Sequence, residues 1–459
     1  MAGALLYPLI LLGLCILGLF AWILYLIFGP SQYDGSPAGS GTGLVSVHVL
    51  VLGDIGRSPR MTYHALSVAK HGGKVNLIGY LETSPHPDVV NNPNITLNPI
   101  PAPPRKPDSL PFLLFAPWKV LYQVYHLFFL LAYTLEPAQW ILVQNPPSIP
   151  TLAIASLICQ LRNTKLMIDW HNYGWTILAS TRGPRHPLVR ISKLYECLFG
   201  RLGSFHLTVT HAMARQLRRA PYSIKREMLP VHDRPAAIFR PVSSPSARES
   251  ILQRVLPAEK GLVPRILDGS MRLIVSSTSW TPDEDFSILL DALTRYASAA
   301  GGLTPILAVI TGKGPQKEMY LERIAELTRA GRLPNVRIVT AFLPFPDYAA
   351  LLACADLGIC LHMSSSGVDL PMKVVDMFGA GLPVAAYSGY ESFGELVKEG
   401  SNGRGFKTAE ELAEILARLL SPEGQTELET LRRGAVREGS RRWDEEWDAK
   451  VGVIMGLTT

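Results

Sequence analysis

Residues Ser364–Phe406 read SSSGVDLPMKVVDMFGAGLPVAAYSGYESFGELVKEGSNGRGF. An Asp-bearing loop leads into a helix that starts near Pro371, and a Gly-Ala-Gly exit drops the chain into the apolar run Leu382–Tyr387. Gly379 and Gly381 suit a helix end, because left-handed dihedrals are cheapest without a Cβ. Pro383 opens the next run, where its missing N–H does least harm. A further loop presents Gly394, Glu395 and Leu396. Loop, helix, glycine exit, buried strand, loop is one turn of a parallel α/β sheet, and in such sheets ligands sit beyond the carboxyl ends of the strands. The plain alternative is one more βα unit with polar loops.

The same rhythm runs through the chain in two series. Leu44–Leu52 (LVSVHVLVL) is an almost wholly apolar, β-branched run, as a central parallel strand requires. It ends in Gly53-Asp54-Ile55-Gly56-Arg57, ahead of a helix from about Pro59 to His71 and a strand at Lys74–Tyr80. Trp140–Gln144, Lys165–Asp169 and His206–Thr210 continue as strands, separated by helices Ile149–Leu161 and Val189–Arg201. From Ala220 to Pro264 periodicity fades and Pro, Arg and Ser accumulate, which marks a boundary. Strands at Met271–Ser276, Pro305–Thr311, Val336–Val339 and Leu357–Leu361 then alternate with helices. Trp443 and Trp447 fall on one face of a terminal helix. The expected architecture is α/β, with two Rossmann-like domains facing across a cleft. Residues 44–230 form the first and 271–430 the second, with a linker at 231–270 and a C-terminal helix at 431–459 packing back across both.

A chain of 459 residues, 47% hydrophobic and 18% charged, holds more than one domain and is not disordered. Its formal charge of +6 suits anionic phosphates or an anionic membrane face. No Lys/Arg-rich run is interleaved with aromatics, so nucleic acid is not an expected partner. Five cysteines without CxxC spacing argue against a disulfide framework or a zinc site and fit a reducing compartment. The sequon Asn94-Ile95-Thr96 would matter only in a lumenal domain, which the cysteines disfavour.

Tyr7–Phe28 carries no charge and is long enough to span a bilayer, so residues 1–30 read as an uncleaved anchor. The distribution of basic residues places the body of the chain in the cytoplasm. Ser31–Gly43 reads as a flexible tether. Phe112–Leu135 is as apolar as a spanning helix but carries Pro117, Lys119, Gln123 and His126. It reads either as a membrane-interface segment or as a core helix, with a second span least expected.

Gly53 and Gly56 would let backbone amides approach a phosphate, with Arg57 and Arg60 nearby; as structure alone the loop is a tight turn. His171, at the carboxyl end of a strand, is suited to proton transfer near neutral pH, or is a structural hydrogen-bonder. The Gly312-Lys313-Gly314 loop and Lys373 supply cations in the second domain. Asp283-Glu284-Asp285 reads as a helix cap rather than a metal–diphosphate ligand. No HExxH, GxSxG, P-loop or kinase signature is present, so no metal site or required cofactor is expected. Two nucleotide-type domains across a cleft suit joining a sugar nucleotide to a second substrate, with lysines and helix amino ends stabilising the leaving diphosphate.

The arrangement and the run Gly367–Val384 resemble the GT-B glycosyltransferases. GDIGRSPRMTYHAL from Gly53, QNPPSIPTL from Gln144 and DWHNYGWTIL from Asp169 resemble more narrowly the chitobiosyldiphosphodolichol β-mannosyltransferase family of the endoplasmic reticulum. So do SSTSWTPDEDFSILLDAL from Ser276, DLPMKVVDMFGAGLPV from Asp369 and ELVKEGSNGRGF from Glu395. The resemblance implies transfer of mannose from GDP-mannose to dolichyl-diphosphate chitobiose with inversion, on the cytoplasmic face of the endoplasmic reticulum membrane. It also implies contact with other mannosyltransferases of lipid-linked oligosaccharide assembly, and a divalent cation as a stimulant at most. The base for the acceptor hydroxyl would be His171 or Asp54, and Gly53, Gly56, Arg57 and Arg60 would serve the acceptor side. Asp376 matches the second acid of the broader family's donor-site pair and would hold the ribose. The spacing of the first lands on Val368, with Asp369 one residue later. Gly312, Lys313, Gly314, Lys373 and Glu395 complete the expected donor set. The rival readings are an inactive homologue serving as a membrane-bound scaffold, and a nucleotide-sugar enzyme with another lipid acceptor.

Overall fold

The computed structural model describes residues 17, 18, 21, 44–109, 111–299 and 303–459. The anchor and tether expected at Tyr7–Phe28 and Ser31–Gly43 therefore lie almost wholly outside the described residues. Among the described residues, no helix is long and apolar enough to cross a membrane.

The first sheet contains β1 (Ser46–Asp54), β2 (Lys74–Tyr80), β3 (Ile95–Pro99), β4 (Trp140–Asn145), β5 (Lys165–Trp170), β6 (Phe205–Thr208) and β7 (Glu227–Pro230). Its order is β3-β2-β1-β4-β5-β6-β7, and every pairing is parallel. The second contains β8 (Arg272–Ser277), β9 (Ile306–Thr311), β10 (Val336–Ala341), β11 (Leu357–Cys360), β12 (Val384–Tyr387) and β13 (Gly403–Phe406). These run in the order β10-β9-β8-β11-β12-β13, again all parallel. Helices cover both faces of each sheet, which is why central strands such as β9 are continuous apolar runs and buried throughout. The strand order reverses between β1 and β4 in one sheet and between β8 and β11 in the other, and each reversal opens a crevice at the strands' carboxyl ends.

The glycine exit behaves as its sequence predicts. Helix Met372–Gly379 ends there, and Gly381 adopts a φ of +74°, the left-handed stop that a side chain would oppose. The stretch between the sheets is more ordered than its composition suggests: β7 and the helix Pro245–Val255 both form within 220–264. Phe112–Phe129 is a helix with one face in the core and one outside. Leu127 and Phe128, with Leu131 and Leu135 just past the helix end, are buried beside Ile154 and Ile158, while Trp118, Leu121, Tyr125 and Phe129 are exposed. The C-terminal segment returns to the first sheet, where Trp443, Trp447, Val451 and Met455 join the core built around β1 and the helix Pro59–Lys70.

Candidate functional site

The sheets meet along their carboxyl ends. A cavity of about 220 Å³ is walled by Arg57, Gln144 and His171 from the first sheet and by Asp369, Leu370 and Met372 from the second.

His171 follows β5 directly, and its Nε2 lies 2.8 Å from Asp169 Oδ2. Side chains two apart at a strand end point to the same side, so an Asp-x-His pair there is brought together by the strand itself. Asp169 is fully buried. Arg60 donates to both its oxygens, from Nε at 2.7 Å and from Nη2 at 2.9 Å, and His64 Nε2 lies 3.1 Å from Oδ2. Burial alone would raise the Asp169 carboxyl, but Arg60, His171 and His64 hold it well below the usual carboxylate range. An ionised carboxylate only accepts, so His171 Nε2 carries a proton and Nδ1 is the basic nitrogen. Among the described residues Nδ1 has no partner.

The remaining polar groups fix this arrangement. Trp447 Nε1 donates to His64 Nδ1 at 2.9 Å; an indole N–H cannot accept, so neutral His64 holds its proton on Nε2 and donates to Asp169. Burial lowers the pKa of His64, in keeping with the neutral form. Arg60 also donates from Nη1 to Asp233 at 2.8 Å and to the Val231 carbonyl at 2.9 Å. Sequence reading placed Arg60 among phosphate contacts; its side chain is buried, and these bonds occupy four of its five donors. Arg57 remains exposed on the rim. Asp169, His64, Asp233 and Trp447 were not singled out as site residues. The signal for the first two was the Asp-x-His spacing and the i, i+4 pair Arg60/His64 on one helix face.

Asp54, the other candidate base, is a loop cap. It accepts from the amides of Gly56, Glu82 and Thr83 and from Thr83 Oγ1 at 2.6 Å. Burial would raise its carboxyl, but these four donors lower it. Gly56 packs on the neighbouring loop so tightly that a Cβ would lie 2.4 Å from Thr83 Oγ1.

In the second sheet the loops after β8 and β9 lie against each other. A Cβ at Gly312 would sit 1.8 Å from the Thr278 carbonyl oxygen, and one at Gly314 1.7 Å from that of Ser279. The glycines are thus demanded by backbone contact. Lys313 extends over the Phe342 ring, 3.7 Å from its centroid. Within the acidic run expected to be a cap, Asp285 does cap the helix Phe286–Ser298. Glu284 instead turns inward, accepts from Thr278 Oγ1 and the Ser279 amide, and pairs with Lys373.

Asp369 is buried and bonded to His362 Nε2 at 3.2 Å and to Ser364 Oγ. It also faces Asn172 Nδ2 of the first domain at 3.4 Å. Asp376, one helical turn beyond Lys373, has no side-chain partner among the described residues. Burial first, and the nearby Asp233 carboxylate second, push its pKa up to about 7. Glu395 binds the first domain: its carboxylate accepts from the His211 and Ala212 amides, both at 2.7 Å, and lies 3.2 Å from His232 Nε2. The predicted residues therefore divide. His171, Arg57, Arg60 and Asp369 share the cavity, whereas Gly312, Lys313 and Gly314 lie at a separate strand end.

Two facing Rossmann-like domains with a site between them make the architecture of the GT-B fold. Residues 271–422 match the family model described as glycosyl transferases group 1. Among solved structures, sucrose-phosphate synthase from Thermosynechococcus elongatus superposes with a TM-score of 0.63 at 14% identity, covering 90% of this chain and 97% of that one; this likeness concerns the fold alone. Curated relatives are much nearer in sequence. The chitobiosyldiphosphodolichol beta-mannosyltransferase of Arthroderma benhamiae is 49% identical over 82% of this chain and 86% of its own length. That of Yarrowia lipolytica is 44% identical over 89% and 86%. The chain belongs to the chitobiosyldiphosphodolichol beta-mannosyltransferase family.

Proposed function

We propose that the protein transfers mannose from GDP-mannose to the terminal sugar O4 of dolichyl-diphosphate chitobiose, inverting the anomeric carbon, with His171 as the base. The supporting observation is the buried Asp169 carboxylate that holds the Nε2–H of His171, a residue lining the cavity shared by both domains whose Nδ1 has no partner among the described residues. The acceptor O4–H gives its proton to Nδ1 as O4 bonds to the anomeric carbon and the bond to the GDP phosphate breaks. Asp169 stabilises the imidazolium that results. Asp54, with its lone pairs occupied, is the weaker candidate.

On the donor side Lys373, aligned by Glu284, and the amino end of helix Met372–Gly379 meet the diphosphate charge. The unpartnered Asp376 carboxylate suits the ribose hydroxyls, and Asp369 the mannose. Because protein groups meet the diphosphate, chelation by EDTA should slow transfer less than about tenfold. The uncharged run Tyr7–Phe28 and the four unpaired cysteines among the described residues support a single-pass protein of the endoplasmic reticulum membrane with its catalytic body in the cytoplasm. The exposed Trp118, Leu121, Tyr125 and Phe129 support an interfacial position for that helix. The deciding assay uses purified full-length protein, GDP-mannose and phytanyl-diphosphate chitobiose. Folded protein that forms no mannosylated product refutes the activity.

A further inference from the structure

An open groove of about 560 Å³ lies on the first domain between the loop after β4 and the helix that follows β5. Pro146, Pro147 and Ile149 from the loop after β4 form one wall, and Ile177 and Leu178 of helix Gly174–Arg182 form the other. The loop after β4 links the groove to the proton-transfer site: Gln144, which walls the His171 cavity, donates from Nε2 to the Pro146 carbonyl at 3.1 Å. The His171 amide donates to the Asn145 carbonyl at 2.8 Å, and Asn145 directly precedes Pro146. Its floor is fixed by Glu196, which is fully buried and accepts from the Gly174 amide at 2.8 Å and from Tyr222 OH at 2.5 Å.

Beyond the groove, apolar surface continues along helix Pro187–Phe199, where Ile191, Leu194 and Leu198 are 57%, 71% and 55% exposed at i, i+3 and i+7. Scattered exposed leucines need no explanation, but an apolar groove separated by one residue of chain, Asn145, from the wall of a polar reaction cavity does. Its volume lies within the roughly 300–1,000 Å³ of small-molecule sites.

We propose that this groove seats the first isoprenoid units of the acceptor's lipid tail while the sugar end lies at His171. The inference rests on the acceptor class and the site given under Proposed function. A substrate with a sugar at one end and hydrocarbon at the other requires polar and apolar surfaces in that succession, and Gln144, bonded to Pro146, links this cavity to the apolar groove. Tail contacts made there lower KM for long-tailed acceptors in proportion to the hydrocarbon removed from water.

The test compares chitobiosyl diphosphates bearing a phytanyl tail and a citronellyl tail of half its length, in one detergent, with full-length protein. Wild type favours phytanyl in kcat/KM. In the double variant Ile177→Ser/Leu178→Ser that preference falls about tenfold. Thr181→Phe, an exposed position on the same wall, fills the groove and gives the same loss should the serine pair fold poorly. An unchanged preference in both variants overturns the groove. So does its loss on Leu121→Ser, on a different exposed helix, because the tail would then act through the micelle surface. Failure of wild type to mannosylate either acceptor overturns the activity and the groove with it, an outcome distinct from transfer with unaltered tail preference.

Discussion

His171 Nε2 lies 2.8 Å from Asp169 Oδ2, at the carboxyl end of β5, which carries Asp169 and is followed directly by His171. The carboxylate beneath is fully buried and ionised because Arg60 is buried with it. That Nδ1 is the proton-accepting nitrogen of this cavity-lining histidine is therefore a consequence of charge pairing deep in the first domain.

His171→Ala should lower kcat by roughly 10²–10⁴-fold, the usual contribution of a positioned base, with little change in KM for GDP-mannose. Asp169→Asn acts differently. An amide donor facing Nε2 moves the His171 proton to Nδ1 and removes the base, while Arg60 keeps Asp233 but loses one of its two buried counter-charges, at a cost of up to about 3–5 kcal/mol. Steady-state kinetics and urea unfolding of both variants distinguish the two effects. Wild-type kcat in His171→Ala removes this residue as the base.

Asp54→Ala should show the reverse pattern. Losing the acceptor for three amides and a hydroxyl destabilises the loop by about 1–3 kcal/mol, with a modest change in kcat. A fall in kcat as deep as that of His171→Ala, in protein that remains folded, would transfer the role of base to Asp54.

Much of the fold was legible because parallel strands buried on both faces leave continuous apolar runs such as LVSVHVLVL and PILAVIT. The glycine exit at 379–381 was legible for a similar reason, since a left-handed residue leaves few choices. The site was harder to read. Arg60 looked like a phosphate ligand because sequence shows its charge but not its burial, and Asp233 and Asp169 lie 173 and 109 residues away. Glu284 looked like a cap because its partner Lys373 is 89 residues distant. Contacts between the two domains, such as Glu395 with the His211 amide, leave no periodic trace at all.

Asp376 supplies a pH prediction. Its carboxyl releases a proton near pH 7 in the folded chain, and near 3.9 once unfolded. Between those values the folded state binds the extra proton, so this group's contribution is complete below about pH 4 and is lost as pH rises through 7. Asp376→Asn removes the loss and should be more stable than wild type above pH 7 by about 1–4 kcal/mol, with the gap closing toward pH 4. The same change should raise KM for GDP-mannose if the carboxylate holds the ribose. Urea titrations at the two pH extremes, with donor kinetics, test both; equal stabilities at high pH would mean that the carboxyl titrates normally.

Trp447 joins the C-terminal segment to the base through His64 and Asp169. Its indole is fully buried in the first domain's core, so Trp447→Ala should cost about 3–5 kcal/mol. Trp447→Phe keeps most of the packing but leaves the buried His64 Nδ1 without a donor, which costs about 1–3 kcal/mol. His64 can then move its proton to Nδ1, and Asp169 loses one of the donors that keep it ionised. A fall in kcat of less than about tenfold should follow, with the acid limb of the pH–rate profile displaced. Chemical denaturation and pH–rate profiles of the two variants measure these separately. A Phe variant with wild-type stability and an unmoved profile would show that the indole N–H contributes nothing to the placement of the His171 proton.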